Sequence, residues 1–316
     1  MDVKDIKVIG NLGTGTMGFG TALAFAMAGY EVKMYGRSES SIERGVNSIK
    51  GALKTYVANG LVKEDDVAAI LARVEGVTTL EAVAEKADFI IESVAEELAI
   101  KQEIWGKLDK LCAPHTIFAT NTSGLSPTAI AEPLQRKDKF VVAHFWNPPH
   151  LVPLVEVVPG KGTSEEAVQI TWKLMELIQK KPVALKREAL GFIGNRLQLA
   201  LLREALYIVE SGIATPEAVD TTMKYSLGRR LATTGPLESA DLGGLDIFNN
   251  ISSYLLADLC NETTGSKLLQ EAVAAGKLGA KTGTGLYDWT PESLEKIKSF
   301  RETILIDWLK RDQIKD

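Results

Sequence analysis

Between residues 6 and 186, short apolar runs alternate with longer helical patterns, and the first run leads straight into Gly13-Thr14-Gly15-Thr16-Met17-Gly18. No other feature restricts the fold as much. Strands read at 6–12, 31–35, 89–94, 116–120, 140–145, 151–158 and 182–185, with helical stretches such as 17–28 and 97–111 between them. Strand and helix in strict alternation give an α/β fold with a doubly wound, mainly parallel sheet. The segment 41–74 departs from the alternation. It holds two helical patterns, 41–58 and 63–74, separated by the helix stop Asn59-Gly60, and reads as a helical hairpin excursion. After Leu190 strand signals fade and amphipathic patterns follow at 192–211, 216–227, 247–261 and 267–275. The chain therefore divides into an α/β domain, 1–189, and an all-α domain, 190–316.

The glycine loop sits between a strand and a helix, where glycines permit a tight turn, close approach of backbone to a pyrophosphate, and close packing of helix on strand. Gly13, Gly15, Thr16, Met17 and Gly18 are thus candidate dinucleotide contacts, with the helix N-terminus offering N–H groups to the phosphates. Gly10-Asn11 inside the first strand is unusual, because glycine weakens strands and asparagine needs partners. After the second strand, Gly36-Arg37-Ser38 stands where a NAD site usually carries an acid for the adenine ribose. Arg37 can pair with a 2′-phosphate and Ser38 can donate to it, so the segment reads as NADP binding, with NAD as the alternative.

His144 and Glu156 supply the chemistry. If strands 141–146 and 151–158 pair so that residue numbers sum to 300, the two lie opposite each other, roughly 5 Å apart at Cβ. A carboxylate in that position holds one imidazole tautomer, which suits a proton acceptor working near neutral pH. The apolar run preceding His144 places it at the carboxyl end of a core strand, where α/β sheets gather functional groups.

Bulk properties close off other classes. At 316 residues and 45% hydrophobic content the chain can bury a large core, and its net charge of −5 with no basic cluster gives no footprint for nucleic acid or an anionic membrane. Cys112 and Cys260 have no metal-binding spacing, so no metal is expected. No basic, apolar leader opens the chain, and a cytoplasmic location is the expectation.

Seven segments, taken together and in order, resemble the 3-hydroxyacyl-CoA dehydrogenase family over nearly the whole chain. They are G-T-G-T-M-G (13–18), A-T-N-T-S-G-L (119–125), H-F-W-N-P (144–148), L-V-E-V-V (154–158), G-F-I-G-N-R-L (191–197), G-P-L-E-S-A-D-L-G-G-L-D (235–246) and G-K-L-G-A-K-T-G-T-G-L-Y-D-W (276–289). The resemblance implies a Rossmann-like domain followed by a helical dimerisation domain, hence a homodimer. It also implies hydride transfer between NAD(P) and C3 of a 3-hydroxyacyl-CoA, with short bacterial 3-hydroxybutyryl-CoA enzymes as the first reading. On this likeness His144 is the general base and Glu156 its partner, while Ser123 and Asn195 bond the reacting oxygen or the substrate. Glu96, Lys101, Asn147 and Lys281 match cofactor-contact positions, although Glu96 and Lys101 alone read as solvated helix charges.

The chain departs from the common pattern at Gly36, at Pro148-Pro149-His150-Leu151-Val152-Pro153, and on the hairpin, where Ser48, Lys50 and Lys54 only approximate the family's CoA contacts. The Pro-Pro segment is closer to relatives that oxidise free 3-hydroxy acids, such as gulonate and carnitine dehydrogenases. For such a substrate Arg229 and Arg230 are candidate carboxylate ligands. A third reading is a non-catalytic dinucleotide-binding or structural protein on the same scaffold.

Overall fold

The computed structural model describes residues 2–313. Eight strands form one sheet in the order β3-β2-β1-β4-β5-β6-β7-β8. They are β1 (Val8–Leu12), β2 (Glu31–Tyr35), β3 (Val74–Val77), β4 (Phe89–Glu92), β5 (Ile117–Thr120), β6 (Phe140–Phe145), β7 (Leu154–Pro159) and β8 (Lys181–Ala184). All neighbours are parallel except β6 and β7. Helices α1 (Thr16–Met27), α2 (Glu39–Ala58), α3 (Glu64–Ala72), α4 (Leu80–Ala84), α5 (Leu98–Leu111), α6 (Pro127–Ile130) and α7 (Glu165–Leu177) belong to this unit. Two apolar clusters hold it together, one around Ile9, Phe25, Met34 and Phe89 and the other around Trp105, Phe118 and Phe140. Each such fully buried side chain contributes roughly 1.5–3 kcal/mol through burial.

The order of strands reverses at β1, which has β2 on one side and β4 on the other. The glycine loop leaves β1 at this switch point, the usual ligand crevice of an open α/β sheet. Strand β3 is not legible in the sequence pattern, which reads Val74 as the end of the helix 63–74. Four residues containing a glycine at the sheet edge give little strand signal, and Gly76 is there because a Cβ would come 2.2 Å from Ile42 Cγ2. The hairpin α2–α3 therefore bridges β2 and β3, with Ile42, Ile49 and Leu53 buried in the main core.

The packing divides the chain into one unit comprising Met1–Gly194 and Arg301–Asp316, and another comprising Asn195–Phe300. Sequence pattern alone put the division at 189/190 and assigned all later residues to the second domain. The difference has two causes. The backbone of Ile193 and Gly194 is tied to Glu156, and Ile306 of the last helix is buried with Tyr56 and Leu151.

The second unit is helical: α8 (Gly194–Glu210), α9 (Pro216–Tyr225), α10 (Leu227–Leu231), α11 (Pro236–Gly243), α12 (Leu245–Leu255), α13 (Lys267–Ala274), and the start of α14 (Pro291–Gln313). Helices α9 to α13 bury no residue, and Leu237, Leu242, Leu245, Tyr254 and Leu256 are exposed. No helix among the described residues is long and apolar enough to cross a membrane.

Candidate active site

At the ends of β6 and β7 the register pairs His144 with Glu156, and all paired residue numbers sum to 300. His144 Nδ1 lies 2.9 Å from Glu156 Oε2, and His144 is only 6% exposed. Glu156 is fully saturated. Its Oε2 also accepts from Trp146 Nε1 at 3.2 Å, and its Oε1 accepts the backbone N–H groups of Ile193 at 2.8 Å and Gly194 at 3.0 Å. Burial works against the charge of this carboxyl, but the hydrogen bonds from His144, Gly194, Ile193 and Trp146 outweigh it and hold its pKa below the usual value. An ionised Glu156 accepts Nδ1–H, so Nε2 is the imidazole nitrogen left to take or give a proton.

The rings of Trp146 and Phe192 flank the imidazole, each with its centroid 5.6 Å away. Phe192 adopts a left-handed backbone, φ +51°. Gly194 permits the close approach of this turn, because a Cβ would come 2.2 Å from Trp146 Cζ2. Trp146 and the two turn amides are site components that sequence reasoning missed. A carboxylate on an apolar strand signals that it needs donors, but not which backbone provides them.

The nucleotide loop divides labour among its glycines. Gly13 has φ +117°, and a Cβ there would meet Ser93 O at 2.7 Å; at Gly18 a Cβ would meet Gly13 O at 2.2 Å. A Cβ on Gly15 meets nothing within 4 Å, which is the open approach a pyrophosphate needs. The first helical bond runs from Phe19 N to Gly15 O, leaving the amides of Thr16, Met17 and Gly18 as first-turn donors. These residues fit a dinucleotide phosphate. Asn11, the odd residue of β1, braces the loop: Nδ2 donates to Gly13 O and Gly18 O, and Oδ1 accepts from Thr21 Oγ1. Gly10 gives α4 its place, since a Cβ would lie 2.6 Å from Val83 Cγ1.

At the end of β2, Gly36 is buried, and a Cβ would come 2.5 Å from Ser41 Oγ and 2.8 Å from Ile42 Cγ1. A carboxylate side chain there requires Ser41 and Ile42 to move. Arg37 is exposed, while Ser38 caps α2 in a reciprocal capping box with Ser41.

Residues 8–189 match the family model described as 3-hydroxyacyl-CoA dehydrogenase, NAD binding domain, and residues 191–289 match the 3-hydroxyacyl-CoA dehydrogenase, C-terminal domain. The chain belongs to the 3-hydroxyacyl-CoA dehydrogenase family. It is an oxidoreductase of this family with an NAD-binding domain. One relative, 5-formyl-3-hydroxy-2-methylpyridine 4-carboxylate 5-dehydrogenase of Mesorhizobium japonicum, is 33% identical over 95% of this chain and 96% of its own. A probable 3-hydroxybutyryl-CoA dehydrogenase of Bacillus subtilis is 38% identical over 92% and 98%.

Among solved structures, a 5-formyl-3-hydroxy-2-methylpyridine 4-carboxylic acid 5-dehydrogenase, described as an NAD+ dependent dismutase, gives a TM-score of 0.91 at 32% identity, covering 98% of this chain and 100% of that one. The (S)-3-hydroxybutyryl-CoA dehydrogenase of Ralstonia eutropha gives 0.77 at 32% identity, covering 90% and 99%.

The residues that the family likeness singled out fall into three groups. Ser123, Glu96 and Lys101 come together at the ends of β4 and β5. Glu96 Oε1 accepts from Ser123 N at 2.9 Å and Thr122 Oγ1 at 2.5 Å, and Ser123 Oγ lies 3.3 Å away. Lys101 corrects the sequence reading of a solvated charge: it is 1% exposed, because Glu92 and Glu96 both pair with its ammonium, at 2.7 and 3.2 Å. Glu96 is paired as well, although its side chain keeps 43% exposure.

Asn147 is exposed just past β6, next to the imidazole strand. Asn195, in the first turn of α8, and the exposed Lys281 belong to the second unit. Ser48, Lys50 and Lys54 lie on the solvent side of α2, and the Ser48 hydroxyl donates to Arg44 O. Arg229 stacks 4.7 Å over the Tyr225 ring, and Arg230 is exposed beside it on α10.

Proposed function

We propose that this chain is a nicotinamide-dependent oxidoreductase acting at the hydroxyl-bearing carbon of a small free carboxylate, with His144 as the proton acceptor and donor. The observation that carries the reaction is the His144–Glu156 pair, buried and saturated on the carboxylate side. In the oxidative direction the substrate hydroxyl gives its proton to His144 Nε2. Glu156 stays ionised throughout, fixing the tautomer and stabilising the imidazolium. A bound nicotinamide dinucleotide would supply the hydride acceptor for the hydroxyl-bearing carbon, and the hydride donor in the reverse direction. Ser123 and, on the family likeness, Asn195 are each proposed ligands of the reacting oxygen or of the substrate. A hydroxyl and an amide can polarise a carbonyl without competing for the proton.

The substrate class is supported by likeness along the whole chain to the pyridine carboxylate enzyme, against lower coverage for the 3-hydroxybutyryl-CoA enzyme. The C-terminal family model ends at residue 289, whereas α14 continues to Gln313 and packs Ile306 on Tyr56 of α2 and on Leu151 of the Pro-Pro segment. These contacts fall in two of the three regions where the sequence leaves the acyl-CoA pattern, the hairpin and the Pro-Pro segment. Arg229 and Arg230 are proposed ligands of the free carboxylate.

A short-chain 3-hydroxyacyl-CoA is the second reading, favoured by the 38% identity to the Bacillus subtilis protein. Initial rates with NADH and NADPH decide between them. The carbonyl substrates would be acetoacetyl-CoA, free 3-keto acids and 5-formyl-3-hydroxy-2-methylpyridine 4-carboxylate. Turnover confined to acetoacetyl-CoA rejects the free-carboxylate assignment, and no hydride transfer to any of the panel rejects the catalytic one.

For the cofactor we propose NADP over NAD, from the closed Gly36 and the exposed Arg37 that follows it. Glu96, Lys101 and Asn147 are proposed cofactor contacts, and Lys281 is carried over by the family likeness alone. The exposed apolar faces of α11 and α12 are proposed to meet a second copy in a homodimer. Light scattering after size-exclusion chromatography tests this, and a monomer at micromolar concentration rejects it.

A further inference from the structure

Glu92 closes β4 and is 0% exposed. Its Oε1 accepts from Val94 N and from Lys101 Nζ, both at 2.7 Å, and its Oε2 accepts from Thr120 Oγ1 at 2.7 Å. Nothing in the sequence pattern singled it out. Lys101, gripped from below by Glu92, reaches Glu96 at 3.2 Å with the same ammonium. Glu96 in turn accepts the Thr122 hydroxyl and the Ser123 N–H. Four segments of the chain meet in this relay: the end of β4, the loop after it, α5, and the turn after β5.

We infer that Glu92 is a positioning residue, which fixes Lys101, through Lys101 fixes Glu96, and through Glu96 fixes Ser123. The inference rests on the reading of Ser123 as a ligand of the reacting oxygen, and it names what holds that ligand still. A buried ion pair is a weak stabilising device, because desolvation offsets attraction. Its directional effect is stronger. Two carboxylates on one ammonium, with Glu92 itself held by Val94 N and Thr120 Oγ1, restrict the arrangements open to the cluster. Glu96 is partly exposed and would otherwise be free to swing towards water, taking the Ser123 amide partner with it.

Glu92→Gln keeps the shape and removes the charge. The kinetic test uses NADPH or NADH with 5-formyl-3-hydroxy-2-methylpyridine 4-carboxylate, or with acetoacetyl-CoA where that compound is turned over. Glu92→Gln should lower kcat about tenfold with little change in KM for the carbonyl substrate, the loss of one charged hydrogen-bond contact. In a Ser123→Ala background the same substitution should lower kcat by less than about twofold, because partners in one network are not additive. Hydrogen exchange of the ligand-free protein gives a second readout. The Ser123 amide, followed in a peptide spanning 121–125, should exchange about tenfold faster in Glu92→Gln while β1 is unchanged.

Additive kinetic effects with an unaltered Ser123 amide overturn the inference and leave the proposed function standing. A Ser123→Ala enzyme with wild-type rates overturns the reading of Ser123, and the inference with it. Should Glu92→Gln fail to fold, Thr120→Val loosens the same grip and must show the same non-additivity with Ser123→Ala.

Discussion

The end of β6 and β7 and the end of β2 are built in opposite ways. At the first, a carboxylate with no exposure has every lone pair directed at a donor, and the imidazole it holds is 6% exposed. At the second, Arg37 and the hairpin side chains Ser48, Lys50 and Lys54 stand in solvent. Proton transfer, the role proposed for the first end, depends on geometry fixed before the reactants arrive, and burial and hydrogen bonds lock these groups in that way. Recognition of an anionic cofactor or substrate can be left to mobile, hydrated side chains that pay only when the ligand binds. Substitutions at the first end should therefore act on turnover and stability, and those at the second on affinity alone.

The largest effect belongs to the imidazole. His144→Ala should lower kcat by about 10²–10⁴-fold, the usual contribution of a general acid–base, with cofactor affinity unchanged. Steady-state rates beside fluorescence titration of NADPH separate the two. Undiminished kcat would remove the contrast between the ends.

Glu156→Gln comes next. We expect roughly a 10²-fold loss of kcat, because the amide no longer holds the Nδ1–H tautomer, and about 1–3 kcal/mol of lost stability from donors left mismatched. Its folded carboxyl lies below the ordinary value of 4.5. Stability from this group is thus complete above that value and is lost as pH falls through the lowered one. Denaturant unfolding between pH 7 and pH 3 should show a shallower acid decline for Glu156→Gln than for the wild type. Parallel curves would mean that Glu156 is not the stabilising acid.

Legibility in the sequence follows the same division. The register of β6 and β7, the glycine loop and most strands could be read because they rest on local periodicity and on turn residues with one physical purpose. The edge strand β3 could not, since a V-E-G-V run carries no alternation and its glycine answers to Ile42, far away in sequence. Burial of Lys101 was hidden for a related reason: the counter-charge lies nine residues earlier, at the end of β4, and only the packing of α5 brings the lysine onto it. Asn11 was noticed as odd, yet its purpose required knowing that Gly13, Gly18 and Thr21 converge on it. Side chains whose role is to satisfy a distant backbone carry no sequence signature of their partner.

At the solvated end, Arg37→Ala should weaken NADPH about tenfold, the equivalent of one charge-assisted hydrogen bond, while NADH affinity stays within about twofold. Inhibition constants for the two reduced cofactors measure this directly. Equal losses for both would assign Arg37 to general electrostatics, and no loss would withdraw the NADP preference.

The smallest effect is expected from the hairpin. Lys50→Ala and Lys54→Ala remove exposed charges that make no ion pair among the described residues. Such charges contribute about 0–1 kcal/mol to stability, so unfolding midpoints should not move measurably. With a free carboxylate as substrate, KM should also stay within about twofold, because nothing then bonds to that face of α2. A CoA thioester would make the same lysines phosphate ligands, and the double variant would then raise KM for acetoacetyl-CoA by about tenfold or more, increasingly so at low ionic strength. A salt-dependent rise of that size would show that the β2–α2 end reads a CoA nucleotide, and it would overturn the free-carboxylate assignment while leaving the buried end untouched.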